Sequence, residues 1–305
     1  MNSVIDITDL SVKEIDNLIN TAMDMHQNPE KYSSVCKGKK LAAMFFEPST
    51  RTRLSFEAAM MELGGNVLSV HSSATSSASK GESINDTSKV VSCYADIMAM
   101  RHPLEGAPAV AAVSASIPVI NAGDGGHCHP TQTLTDLCTI KSEKGVINGL
   151  TVGFCGDLKY GRTVHSLINA LARYENVRVV LISPDELKIP EYVKEGPLKN
   201  MEFSETDNLE KALPELDVLY MTRVQQERFT DPMEYERVKD VYTLNAAMLE
   251  NVKDNMKILH PLPRVTEIDQ DVDDTKYAYY FKQAENGLYV RMAIISYLLG
   301  YRPLK

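Results

Sequence analysis

The sequence of 305 residues is long enough for two domains, although a single large α/β domain is also possible. Its 44% hydrophobic and 24% charged residues are ordinary for a globular protein, and no apolar run could span a bilayer. The net charge of −9, with no Lys/Arg run longer than two residues, argues against nucleic-acid binding. Five scattered cysteines without a CxxC pair argue against a disulfide framework or a structural zinc site. Together with an N-terminus that lacks a signal-peptide pattern, they favour the cytoplasm.

The first half of the chain alternates helical and strand-like patterns. Ser11 and Glu14 form a capping box before an apolar-faced helix, and Pro130 suits the first turn of a helix that ends at Lys144. The remaining predicted elements are strands at 41–46, 66–71, 96–100 and 117–122, with helices at 54–63, 84–93 and 108–116.

The second half repeats this rhythm, with strands at 150–154, 177–182, 216–221 and 256–259, and a long apolar-faced helix at 285–300. Alternation of strands and helices predicts an α/β fold of two domains, each a mainly parallel sheet flanked by helices. We expect the C-terminal helix to return to the N-terminal domain. The expected domains are 1–133 together with 285–305, and 146–284.

The segment 45–56 joins a predicted strand to a predicted helix and contains Ser49-Thr50-Arg51-Thr52-Arg53. A helix N-terminus carries free N–H groups and a partial positive charge, which favour an anion. Hydroxyl donors and a guanidinium fork suit phosphate oxygens. A capped helix with solvated arginines is the simpler interpretation, but capping accounts for only one of the three hydroxyls. The segment therefore predicts a phosphate site built without a glycine-rich loop.

The segment 72–83 is small, polar and low in complexity, which predicts a mobile loop. It could be a solvated linker, or a lid that brings Lys80 to an anion. Composition alone favours the linker.

Polar clusters follow the predicted strands, at 49–53, 101, 127–132, 159–162, 223–225 and 260–264. In open α/β sheets ligands bind outside the carboxyl ends of the strands, so these clusters predict one site for an anionic substrate, in the crevice between two sheets. His127 and His129 fit a turn with one buried donor better than they fit a metal site. No GxSxG or Walker motif is present. Such a site suits direct transfer between two anionic substrates, with stabilisation of a developing oxyanion.

These motifs resemble those of the aspartate/ornithine carbamoyltransferase family, in order and spacing over nearly the whole chain. Residues 49–53 are similar to the carbamoyl-phosphate signature, and His-Pro-Thr-Gln at 129–132 to a second signature. The segments 157–166 and 223–225 are similar to the aspartate branch. The turn His-Pro-Leu-Pro at 260–263 also favours that branch, because ornithine enzymes typically carry His-Cys-Leu-Pro there.

The resemblance implies transfer of a carbamoyl group from carbamoyl phosphate to L-aspartate, the committed step toward pyrimidines. It implies no cofactor and no metal. By motif, the phosphate would be bound by Ser49, Thr50, Arg51 and Thr52. The carbamoyl oxygen would be polarised by Thr52, Arg101 and His129. The carbamoyl NH₂ would be held by Gln132 and by the backbone of Pro261 and Leu262.

The two carboxylates of aspartate would be bound separately, one by Arg162 and the other by Arg223 with Gln225.

The resemblance also implies a homotrimer in which Ser76 and Lys80 of a neighbouring subunit complete each site, and a possible regulatory chain. Two alternatives stay open. Ornithine or another amine could be the acceptor, although Arg162 and Arg223 argue against a cationic substrate. The chain could also be a non-catalytic module that binds a phosphorylated or dicarboxylate metabolite, which would need neither His129 nor Gln132.

Overall fold

The computed structural model describes residues 2–72, 77–226, 229 and 231–301. The chain forms two compact units: Met1–Cys138 with Glu285–Lys305, and Thr139–Ala284. The α/β fold of two parallel-sheet domains, with the C-terminal helix returning to the first, is confirmed. Among the described residues, no helix combines the length and apolar character needed to cross a membrane.

The first unit is a four-stranded parallel sheet flanked by helices, in the order β2-β1-β3-β4. The capping box of Ser11 and Glu14 is confirmed at its first helix. The elements are α1 (Val12–Gln27), β1 (Lys40–Phe45), α2 (Thr50–Glu62), β2 (Asn66–Val70), α3 (Ile84–Ser92), β3 (Ile97–His102), α4 (Ala107–Ser114), β4 (Val119–Asp124) and the start of α5 (Pro130–Lys144).

The inner strands β1 and β3 are buried along nearly their whole length, as expected for parallel strands covered by helices on both faces. After β1 the chain forms β2 on one side of β1, and it then crosses back to form β3 on the other side. The carboxyl ends of β1 and β3 therefore meet at the topological switch point, where α/β sheets bind ligands. Arg101 is the register partner of Phe45, so the end of β3 lies beside the segment that follows β1.

The second unit is a five-stranded parallel sheet in the order β7-β6-β5-β8-β9, with its switch point between β5 and β8. Its elements are β5 (Thr151–Cys155), α6 (Arg162–Leu171), β6 (Arg178–Ile182), α7 (Glu191–Glu195), β7 (Glu202–Thr206), α8 (Leu209–Ala212), β8 (Val218–Met221), α9 (Pro232–Val238), β9 (Lys257–Leu259) and the start of α10 (Tyr280–Leu298).

Two features differ from the prediction. The sequence analysis missed β7, because an edge strand reading Glu-Phe-Ser-Glu-Thr has too little apolar character to stand out. The closing helix begins at Tyr280 rather than at 285. Tyr280 is fully buried in the core of the second unit, so the first turn of α10 belongs to that unit.

Candidate active site

The N-terminus of α2 carries hydroxyl and guanidinium groups at the switch point of the first sheet. Ser49 is its N-cap residue, yet its side chain makes no capping hydrogen bond, and the first turn holds no acidic residue. The simpler interpretation of a capped helix therefore does not account for the Ser49 hydroxyl. Thr50 and Arg51 are exposed, whereas Thr52 is buried. An α-helix start with neither a side-chain cap nor a carboxylate suits an incoming anion.

The two arginines of this motif have different surroundings. The Nη1 of Arg53 lies 2.8 Å from His71 Nδ1, and its Nε lies 3.5 Å from Glu57 Oε1. Ser69 donates a 2.7 Å hydrogen bond to the same Glu57 oxygen. Arg53 thus ties α2 to the end of β2, whereas the sequence analysis assigned the phosphate to Arg51 and not to Arg53. Arg51 instead lies close enough to Arg101 for its charge to affect the pKa of that residue.

Arg101 is the penultimate residue of β3, and its buried guanidinium makes two long contacts among the described residues. Its Nη2 lies 3.5 Å from Glu47 Oε1, and its Nη1 donates to the Ala122 carbonyl over 3.4 Å. Burial lowers the pKa of Arg101; the Glu47 carboxylate opposes this effect and the Arg51 charge adds to it. Among the described residues the buried Arg101 Nε and Glu47 Oε2 have no hydrogen-bond partner. A buried cation with donors to spare suits an oxyanion.

His129 directly precedes α5 and Gln132 lies in its first turn, after the turn 125–128 that follows β4. His129 is buried, with its Nδ1 3.4 Å from Thr131 Oγ1. Gln132 donates a 2.8 Å hydrogen bond from Nε2 to Oδ1 of the fully buried Asp136. Of the two histidines, for which the sequence predicted a turn with one buried donor, His129 is the buried one and His127 is exposed.

Arg291 on α10 is a buried charge that acts on Asp136, the hydrogen-bond partner of Gln132. Burial lowers the pKa of Arg291 to about 10, and the Asp136 charge acts in the opposite direction. Arg291 donates a 2.8 Å hydrogen bond to the Gly287 carbonyl, and its guanidinium lies 5.1 Å from the Phe56 ring centre. An added Cβ at Gly287 would lie 2.5 Å from Arg291 Nη1, so a glycine there leaves room for the guanidinium.

The segment 72–83 is described in part. Lys80 is exposed and ends a 3-10 turn over Ser77–Lys80. Ser76, which the sequence analysis named with Lys80, lies outside the described residues, as do 73–75 of the segment predicted to be mobile.

In the second unit a buried carboxylate, Asp157, joins the loops that follow β5 and β8. It accepts hydrogen bonds from the backbone N–H of Tyr160 at 2.9 Å and of Gln225 at 3.4 Å. Burial raises the pKa of Asp157, while these hydrogen bonds and the Arg223 charge oppose the rise. Gln225 also donates from Nε2 to the Tyr160 carbonyl over 3.2 Å. The two loops at the switch point of the second sheet are therefore fixed to each other.

Arg162 and Arg223 stand on these loops. Arg162 is the first residue of α6, and Arg223 follows β8; both are half-buried. The charge of Arg223 acts on Asp157 and on His260, which follows β9. Arg223 therefore lies near the carboxyl ends of β5 and β9 as well as its own strand.

His260 holds the loop that contains Pro261 and Leu262. Its Nε2 lies 2.7 Å from Glu267 Oε1, while its Nδ1 accepts a 2.8 Å hydrogen bond from Leu262 N–H. An acceptor at Nδ1 and a donor at Nε2 define one neutral tautomer. This bond anchors Leu262 at a φ of +56°, a conformation that a leucine rarely adopts.

Arg264, in the same predicted cluster, has a structural role. It is bound to Asp273 and its guanidinium lies 5.4 Å from the Tyr280 ring centre. The Asp273 carboxylate and the Tyr280 ring together bind the guanidinium of Arg264. This corrects the grouping of Arg264 with the anion-binding arginines.

Replacing His260 by glutamine should reduce the acid sensitivity of the protein. Burial lowers the pKa of His260, so the unfolded state binds a proton first as pH falls, and stability is lost below the unfolded pKa of about 6.5. The variant should remove up to about 1.4 kcal/mol per pH unit from the slope of unfolding free energy between about pH 6.5 and 5. Urea unfolding across this range measures the slope. The slopes of the two proteins should coincide above pH 7, which serves as the internal control. An unchanged slope at acid pH would contradict the lowered pKa of His260.

Two family models match the chain. The aspartate/ornithine carbamoyltransferase carbamoyl-P binding domain matches residues 2–142, and the corresponding Asp/Orn binding domain matches residues 148–298. The chain belongs to the aspartate/ornithine carbamoyltransferase family. This confirms the resemblance drawn from the motifs.

Relatives within the carbamoyltransferase family match over nearly full length. The aspartate carbamoyltransferase catalytic subunit of Lachnoclostridium phytofermentans is 59% identical, over 99% of both chains. The catalytic subunit of M. jannaschii aspartate transcarbamoylase superposes with a TM-score of 0.91 at 48% identity, covering 98% of both chains. Aspartate transcarbamoylase from Trypanosoma cruzi, solved in complex with carbamoyl phosphate and aspartate, gives a TM-score of 0.90 at 37% identity, covering 97% of this chain and 96% of that one.

Sequence reasoning missed several acidic partners around the carbamoyltransferase motifs. Glu47 lies two residues before the first motif but was given no role. No spacing rule links Glu267 to His260 or Asp136 to Arg291. One usable signal was Arg291 itself, a charge within the apolar stretch of the closing helix. Such a residue needs a buried partner.

Proposed function

We propose that the protein transfers the carbamoyl group of carbamoyl phosphate to the amine of L-aspartate, giving N-carbamoyl-L-aspartate and phosphate. Its relatives carry the name aspartate carbamoyltransferase over nearly the whole chain. The observation that carries the choice of acceptor is that Arg162 and Arg223 both stand at the carboxyl edge of the second sheet. Two guanidinium groups suit a dicarboxylate and disfavour the cationic side chain of ornithine.

The first unit would bind the donor. Its phosphate would be held by the start of α2, through N–H groups, the hydroxyls of Ser49, Thr50 and Thr52, and the Arg51 guanidinium. Support comes from the absence of a side-chain cap at Ser49 and from the mutual proximity of Arg51 and Arg101.

The reacting carbonyl would be surrounded by fixed donors. Thr52, Arg101 and His129 would polarise its oxygen, and all three are buried in the first unit, where a charged donor is poorly screened. Gln132 and the backbone at Pro261 and Leu262 would hold the carbamoyl NH₂. Support comes from the hydrogen bonds that fix Gln132 to Asp136 and Leu262 to His260.

The acceptor would bind in the second unit, where Arg162 takes the α-carboxylate and Arg223 with Gln225 takes the β-carboxylate. Lys80 would contact both substrates, with Ser76 beside it on the donor. Asp157 supports this arrangement because it fixes both loops that carry these residues.

The transfer needs no covalent enzyme intermediate. The amine nitrogen attacks the carbonyl carbon, and the carbonyl oxygen gains charge that the buried donors stabilise. The bond between this carbon and the phosphate oxygen then breaks, and phosphate leaves with the electron pair and accepts the proton lost by the amine. Catalysis then rests on positioning and electrostatics.

A colorimetric ureido assay tests the proposal, with aspartate, ornithine and no acceptor added to carbamoyl phosphate. We expect product with aspartate only. More product with ornithine would overturn the choice of acceptor. Tight binding of both anions without any product would favour the non-catalytic binding module instead.

We further propose a cytoplasmic homotrimer that supplies pyrimidine biosynthesis, with Lys80 and Ser76 reaching the site of a neighbouring subunit and a regulatory chain as a possible partner. The support is the family membership and the exposure of Lys80, which leaves its ammonium available to another chain.

Subunit exchange tests these shared sites. Trimers of Lys80→Ala and of His129→Ala should each be inactive, and after exchange a mixed trimer regains one native site. Random mixing should restore about a quarter of the native sites. The readout is turnover before and after exchange, with exchange confirmed by mass. No recovery despite confirmed exchange would show that each site takes both residues from one chain.

A further inference from the structure

The turn that precedes His129 contains a second cluster of side chains with no part in the proposed reaction. One ligand atom each from Asp6, His127 and Cys128 lie within 4.8 Å of one another. Asp6 comes from the N-terminal segment, and the adjacent His127 and Cys128 come from the turn between β4 and α5. The fold therefore brings a distant carboxylate to a neighbouring imidazole and thiol. We propose that this cluster is a zinc site.

The donor set is the main argument. Nitrogen, sulfur and oxygen ligands together suit zinc better than magnesium or calcium, which prefer oxygen alone. Zinc bonds of 2.0–2.3 Å in a tetrahedron place ligand atoms about 3.5 Å apart. Side-chain rotations that move each ligand atom by about an ångström would bring the three atoms to that spacing.

The surroundings of Cys128 are negative and favour a cation. Its Sγ lies 3.6 Å from Asp124 Oδ1 and within 4.8 Å of a carboxylate oxygen of Asp6. A divalent ion held by the sulfur and the Asp6 carboxylate would offset the negative charge that the fold gathers there.

Asp124 would act from the outer shell. Its Oδ2 lies 3.2 Å from His127 Nδ1, the arrangement in which a carboxylate orients a metal-bound histidine. It already accepts hydrogen bonds from the backbone N–H groups of Gly106 and Cys128 and from the Asn121 amide, which leaves it little capacity to bind the ion. Three protein ligands then leave the fourth zinc position to water.

The exposure of the three groups is also suitable. The Cys128 thiol is buried, Asp6 is half-buried and the His127 side chain is 51% exposed. An ion can therefore enter from the solvent past His127 and bind the buried sulfur. Bound zinc would tie the N-terminal segment to the turn that leads into His129.

Cobalt(II) titration of the chelator-treated full chain, without added histidines, tests the site. We expect one Co²⁺ per chain and a thiolate-to-cobalt charge-transfer band, which Zn²⁺ displaces. Cys128→Ser should abolish the band. Cys93→Ser should retain it, and this matched control removes the exposed thiol on α3 that could bind metal by chance.

Asp6→Asn keeps the test decisive if the Cys128 variant fails to fold, and it should weaken Co²⁺ binding about tenfold or more. The readout does not depend on carbamoyl transfer, so it stands whether or not the proposed function holds. A band that survives in Cys128→Ser and disappears in Cys93→Ser would overturn the proposal, as would the lack of any band in the unaltered chain.

Discussion

Replacing Arg51 by alanine should lower kcat/KM for carbamoyl phosphate by about 10²–10³-fold, the usual effect of losing one donor to a developing oxyanion or phosphate. The α2 start would keep its N–H groups and hydroxyls, so a weaker anion site remains. Steady-state kinetics with varied carbamoyl phosphate measure the loss. The unfolding transition should change little, because Arg51 is exposed.

Arg53→Ala is the matched control for Arg51→Ala. The two arginines are two residues apart on one helix, but Arg53 binds Glu57 and His71. Its replacement should cost at most about 1 kcal/mol of stability, as for a surface ion pair, with turnover near the unaltered level. Equal kinetic losses in both variants would mean that general electrostatics, rather than a specific contact of Arg51, explains the effect.

Replacing Arg223 by alanine should lower kcat/KM for aspartate by about 10²-fold. A hydrogen bond to a charged group is worth about 1.5–3 kcal/mol, and 1.4 kcal/mol corresponds to a factor of ten. The effect should be confined to the acceptor, leaving the KM for carbamoyl phosphate within about twofold, because the groups proposed to bind its phosphate and its carbonyl oxygen stand in the other unit.

Arg178→Ala provides the comparison within the same sheet. Arg178 begins β6 at the amino edge, where it is paired with Glu202 and Glu215. It carries the same charge as Arg223 at the opposite end of parallel strands. Its loss should leave both substrate constants unchanged. If Arg178→Ala and Arg223→Ala lowered kcat/KM for aspartate equally, the overall charge of the unit would explain the result and Arg223 would lose its assigned role.

The sequence predicted the elements around the site well because their signals are local. Pro130 and Lys144 bound α5 as predicted, since a proline at the first turn and a glycine after the last are strong markers. The positions of Arg101, His129 and Arg223 at or beyond the carboxyl ends of strands follow from the rule for carboxyl edges. The weakly apolar β7 gave no comparable signal.

What the sequence could not predict is which charges neutralise each other. Arg53 and Arg264 looked equivalent to Arg51 and Arg223 as letters in a motif, yet each binds a carboxylate from its own unit. The tautomer of His260 depends on Glu267 and on one backbone N–H of Leu262. Such pairings are set by tertiary packing, and neither periodicity nor composition records them.

The division of the first unit between both ends of the chain has a consequence for synthesis on the ribosome. Residues up to Cys138 emerge early, but Arg291 and the rest of α10 emerge only after the entire second unit. Until then the Asp136 carboxylate lacks the guanidinium that offsets its charge, and the surface of Phe56 that this cation covers is open. The nascent first unit can thus collapse around its sheet but must wait for the last helix to complete its interior, so the second unit can finish folding first.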